Sequence, residues 1–104
     1  MKDIDFDPEF DRLERLSNGV VDLIAARRLD EAARSCETLR RDFPHQMDWM
    51  EKTAMLQEAK GDIPSAIEHL EKCIGFIQKN AEGFDPDAED WYRDEITRLR
   101  RSRV

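Results

Sequence analysis

The sequence predicts an all-α protein of about five helices, arranged as antiparallel helical hairpins stacked side by side. Three observations predict it. Apolar residues recur every three or four positions in five separate segments, the spacing of one face of an α-helix. Each segment is bounded by capping residues, prolines or a glycine of the kinds that start and stop helices. Finally, GDIPSAIEHLEKC at 61–73 repeats the small and apolar positions of RRLDEAARSCETL, 34 residues earlier at 27–39. No segment alternates with period two, so no strand is expected.

The first helix opens at DFDPEF, where Asp7 can cap and Pro8 suits the first helical position, whose N–H has no helical partner. Phe10, Leu13, Leu16, Val20 and Ile24 form its stripe, which ends near Arg27. The second carries Leu29, Ala32, Ala33, Cys36, Leu39 and Phe43 and stops at Asp42 to Pro44, since a residue before proline resists the helical conformation. A third runs from about His45 to Lys60, with Met47, Met50 and Ala54 on one side and Trp49 and Leu56 on another. A helix apolar on two sides sits between neighbours. Gly61 closes it.

Asp62 can cap the fourth helix, placing Ile63 and Pro64 in a first turn that tolerates proline. Ile63, Ala66, Ile67, Leu70, Cys73, Ile74 and Ile77 make the cleanest stripe, fraying around NAEGF. A fifth helix opens at Asp85 and Pro86, repeating the device of Asp7 and Pro8. Its buried face is Ala88, Trp91, Tyr92, Ile96 and Leu99, and the arginines after it suit the negative end of the helix dipole.

Size and charge narrow the function. A chain of 104 residues is one domain by length, over 1–104. Charged and apolar residues each make up 39%, a balance that suits thin helical layers with a large wet surface. The net charge of -7 argues against a nucleic-acid partner, because an acidic surface repels phosphates. Two cysteines make no disulfide framework, and neither an apolar run of membrane length nor a basic signal segment is present. A reduced, cytoplasmic protein without a membrane partner is expected.

The 34-residue period is that of the tetratricopeptide repeat. The first copy reads Leu16, Gly19, Val20 and Leu23, then Ala32, Cys36 and Pro44. The second reads Met50, Thr53, Ala54 and Gln57, then Ala66 and Leu70, with Gln78 in the place of proline. A partial third continues with Phe84, Asp87, Ala88 and Trp91. Ala32 and Ala66 are small enough to let paired helices approach closely. Gly61 stands where the family places a glycine between helices, and Arg27 replaces it in the first copy. The chain thus resembles a tetratricopeptide-repeat protein. The resemblance implies a short right-handed solenoid, with repeat one at about 13–46, repeat two at about 47–80 and a capping helix at about 85–101. A repeat buries its apolar face only against a neighbour, so the last helix is expected to be structural.

Catalytic chemistry has no starting point here. His45 and His69 belong to no HExxH or CxxC pattern, and Cys36 and Cys73 lie on apolar stripes as small buried hydrophobes. Carboxylates alternate with arginines along exposed faces, and the four glycines form no phosphate loop. Neither metal nor cofactor is expected, and the chain reads as a non-enzyme.

The resemblance points instead to a concave groove lined by the first helix of each repeat. Carried over by position, it is made of Asn18, Val21 and Ile24, then Glu51, Lys52, Met55 and Glu58, and last Glu89, Tyr92 and Arg93. Family members that grip chaperone carboxylates use lysine, arginine and asparagine at such places. Here Asn18, Lys52 and Arg93 are surrounded by acids. A protein or peptide segment with apolar and basic residues fits better, with Glu51, Met55 and Glu58 touching it. The alternative is a structural or oligomerisation module. It would self-associate, for example as a homodimer, through the same face or through its ends. Asp3, Asp5, Asp7, Glu9 and Asp11 crowd one end; Arg93, Arg98, Arg100, Arg101 and Arg103 crowd the other.

Overall fold

The computed structural model describes residues 7–102. Asp3, Asp5 and Arg103, singled out above for their charge, lie outside these residues. The chain forms five α-helices, α1 (Pro8–Ala25), α2 (Leu29–Asp42), α3 (Asp48–Ala59), α4 (Ile63–Lys79) and α5 (Ala88–Ser102), with a short 3-10 turn at Ala81–Gly83. No strand is present among the described residues.

The starts of α1 and α4 follow the expected caps. Asp7 Oδ1 accepts the Glu9 N–H at 3.0 Å, and Asp62 Oδ1 accepts the Ser65 N–H at 3.2 Å. Each satisfies a donor that the first turn leaves free. Two starts come later than expected because a proline makes a turn rather than a helix. The Gln46 N–H returns to the Phe43 carbonyl at 3.2 Å, closing a turn through Pro44 and His45, so α3 begins at Asp48. The Ala88 N–H likewise returns to the Asp85 carbonyl at 3.0 Å around Pro86, so α5 begins at Ala88.

The two hairpin turns are built alike. At the end of α1 the Arg28 N–H donates to the Leu23 carbonyl at 2.9 Å and the Arg27 N–H to Ile24 at 3.0 Å. At the end of α3 the Asp62 N–H donates to Gln57 at 2.8 Å and the Gly61 N–H to Glu58 at 2.9 Å. These are paired Schellman bonds, and every partner is displaced by 34 residues from its counterpart. The motif needs a left-handed residue: Gly61 has φ 85° and Arg27 has φ 60°. That is why α1 stops at Ala25, short of Arg27.

Each helix packs on its neighbours in sequence, and α1 also packs on α3; α1 makes no close backbone approach to α4 or α5. The core divides in two. Leu13, Val20, Ala32, Cys36, Leu39 and Leu56 form one cluster, with Trp49 against it. Ala54, Ala66, Leu70, Cys73, Ile74, Ile77, Tyr92, Ile96 and Leu99 form the other, with Met47 and Met50 against it. So α3 does serve both sides, with the residues expected for each. Ala32 and Ala66 are fully buried where the hairpins close.

Two side chains sit otherwise than their spacing suggested, and two more are not singled out by it. Phe10 and Trp91 are 58% and 54% exposed rather than part of the core. Ser17 is buried, and its hydroxyl donates to Asp48 across α1 and α3. His69 is half-buried, edge-on to Trp49 and within 2.9 Å of the Ser65 carbonyl.

Candidate functional site

The odd-numbered helices run side by side in the same direction, but they are not evenly spaced. α1 and α3 are close, tied by Ser17 to Asp48 and by the Arg27 guanidinium to the Ala59 carbonyl at 3.3 Å. α3 and α5 make no close backbone approach. Long side chains span that gap instead. The Tyr92 hydroxyl donates to Glu51 at 3.1 Å, and Arg98 reaches Glu58. The result is an open groove of about 290 Å³ with Ala54, Leu70 and Leu99 as its floor. Met55 and Trp91 flank it, and Glu51, Glu58, Glu95 and Arg98 form its rim.

The sequence-predicted residues divide over this geometry. Glu51, Met55 and Glu58 all line this groove. Lys52 stands next to Glu51, its ammonium 3.2 Å from that carboxylate, and is mostly covered. Tyr92 is buried beneath the groove rather than lining it. Asn18 and Val21 are exposed on α1, and Ile24 packs into the first core cluster; none of the three lines the groove between α3 and α5. Glu89 and Arg93 lie on the opposite flank of α5. They pair with each other, and Glu89 also accepts from Gln78 of α4 at 3.4 Å.

The reason is register. Bonds between α1 and α3 join residues 31 and 32 apart, whereas those between α3 and α5 join residues 41 and 40 apart. A longer α4, the 3-10 turn and the Pro86 turn put α5 out of the 34-residue frame. The residues of α5 that reach the groove are therefore Trp91, Glu95 and Arg98. Their spacing of four and three puts them on one helical face, although the sequence pattern assigns Trp91 to the buried stripe.

No family model, curated protein or solved structure matches this chain. The chemistry is accordingly read from the groove itself. Burial first, and the neighbouring Glu51 carboxylate second, push the Tyr92 hydroxyl above its usual range, so it stays protonated and donates. Hydrogen bonds to Glu58 and then Glu95 hold Arg98 firmly cationic. Burial raises both thiols, Cys73 to about 12, so neither is a thiolate near neutral pH. Among the described residues no three histidine, cysteine, aspartate or glutamate side chains gather as a metal would need. No helix among them is long and apolar enough to cross a membrane. What the site offers is an apolar slot with an exposed indole and a charged, mainly acidic rim.

Proposed function

We propose that this chain is a non-enzymatic protein-interaction module, an adaptor or chaperone-like domain, that holds a peptide segment in the groove between α3 and α5. The segment presents apolar residues to Met55, Trp91 and the floor, and basic residues to the acidic rim. One observation carries the proposal: Trp91 is left 54% exposed beside an open apolar floor. A large aromatic in that position is the kind of anchor on which interfaces concentrate their binding energy.

The tetratricopeptide-like reading, a short right-handed solenoid of two repeats and a closing helix, is supported by the two Schellman turns set 34 residues apart. It is supported also by the order in which the helices pack. An acidic rim disfavours nucleic acid, and two buried, unpaired cysteines suit a cytoplasmic setting.

The test pairs Trp91→Ala with Glu58→Lys. Both side chains are at the surface of the groove, whereas Glu51 also holds the Tyr92 hydroxyl and is left alone. In affinity capture from native extract, the wild type retains a defined protein and the double variant loses it, with superimposable circular dichroism. Capture undiminished by the double variant refutes the groove.

A further inference from the structure

Resting on the groove as the binding surface, a second inference concerns Arg98. It crosses from α5 to α3 and donates from Nη1 and Nη2 to the two carboxylate oxygens of Glu58, both at 2.9 Å. The same guanidinium donates to Glu95 at 2.8 Å from Nη2 and 3.2 Å from Nε. Two carboxylates, one from each wall, thus converge on one guanidinium: Glu58 in the parallel-fork geometry by which proteins recognise arginine, and Glu95 accepting both of its bonds on a single oxygen. With Glu51 and Lys52 included, the rim holds three carboxylates against two cations, so it favours a further positive charge.

Two features make this arrangement exchangeable. The Arg98 and Glu58 side chains are 48% and 38% exposed, so their pairing is hydrated and weak. The groove of about 290 Å³ beside them is at the small end of ligand-sized cavities, roughly 300–1,000 Å³. That is room for a side chain or two rather than a whole small molecule. We propose that Arg98 is an internal stand-in for an arginine of the partner. The bound segment inserts an aliphatic side chain between Met55 and Trp91 and delivers its own guanidinium to Glu58 and Glu95, while Arg98 swings out into water. Charge is conserved in the exchange, so the gain in binding comes from the aliphatic anchor, and the selectivity for arginine comes from the fork.

The probe is an acetylated, amidated peptide, leucine-arginine-alanine-leucine-leucine-arginine. Its twin carries citrulline, neutral and of the same shape, at both arginines. Each is titrated into the nitrogen-labelled full chain and followed by NMR. The arginine peptide is expected to shift the Trp91 indole N–H and the Met55 amide, and to move the Arg98 Nε–H to the position of a solvated arginine. The citrulline twin binds about tenfold more weakly or worse, having lost its charge-assisted bonds. Arg98→Gln binds the arginine peptide several-fold more tightly, because no internal competitor has to leave first. Arg98→Lys, which keeps the charge without the fork, falls between. A shift at Trp91 with Arg98 unmoved, or weaker binding to Arg98→Gln, overturns the exchange and leaves the groove standing. No shift at Trp91 at millimolar peptide overturns both.

Discussion

Tyr92 and Cys73 give the core a sensitivity to alkali that can be read residue by residue. Both are buried in the second cluster, and Glu51 lies close to each. Burial, ahead of that charge, raises Cys73 from an ordinary 9.0 to about 12 and lifts the Tyr92 hydroxyl further. In the unfolded chain both ionise at lower pH than in the fold, so the folded state disfavours losing the proton. The stability this represents is intact below about pH 9 and is lost as pH climbs towards about 12. Thermal melts from about pH 8 to about pH 11 are expected to show a falling melting temperature. Cys73→Ala lowers the whole curve by opening a small cavity, yet flattens its alkaline limb. An unchanged limb would mean that the thiol is not the group responsible. None of this was visible in spacing alone, which identifies Cys73 as buried but says nothing of the Glu51 beside it. The same holds for Trp49. Its place against the first cluster follows from the pattern, whereas its buried Nε1–H without a partner and the Arg40 and Lys72 cations over its ring do not.

The hairpin turns are the elements where sequence and structure agree most closely, because a Schellman ending leaves a local mark. Glycine at 61 announces the left-handed residue; arginine at 27 takes the same conformation without glycine's freedom. The two positions therefore predict opposite responses. Gly61→Ala forces a side chain into a left-handed backbone and is expected to cost about 1 kcal/mol. No neighbouring atom would crowd the new Cβ, so the cost is conformational. Arg27→Gly relieves the same strain and is expected to stabilise by about 0.5 kcal/mol, after the loss of its exposed bond to the Ala59 carbonyl. Urea unfolding of the two variants checks both signs, and two destabilisations would remove the strain at Arg27. Helix starts were less legible. Asp-Pro opens α1 directly but precedes α5 by a turn, and the difference lies in whether the aspartate carbonyl is answered four residues on, as at Asp11, or three, as at Ala88.

At the scale of the molecule, the position of α5 decides both the groove and the stability. The sequence identified it as a closing helix with the apolar face Ala88, Trp91, Tyr92, Ile96 and Leu99, of which Tyr92, Ile96 and Leu99 are buried, Ala88 is half-buried and Trp91 is exposed. Its placement was not legible, since a 34-residue frame carried through the Ala81–Gly83 turn names Glu89 and Arg93 in place of Glu95 and Arg98. Its charges are also largely answered within the chain: Arg93 by Glu89, Arg98 by Glu58 and Glu95, Arg100 by Glu71 at 3.7 Å. Apolar burial is what remains to hold α5 in place. Three large side chains at roughly 1.5–3 kcal/mol each amount to several kcal/mol, against about 5–15 kcal/mol for a whole small domain. Without them Ala54 of α3 and Leu70, Cys73, Ile74 and Ile77 of α4 would lose cover on one side. A chain ending before Asp85 is therefore expected to melt tens of degrees lower or without a cooperative transition, and to bind a hydrophobic dye. The first cluster shares no side chain with α5, so residual helicity from α1 and α2 should outlast that of α4. A sharp, unshifted melt of the shortened chain would show that α4 is covered by something other than α5.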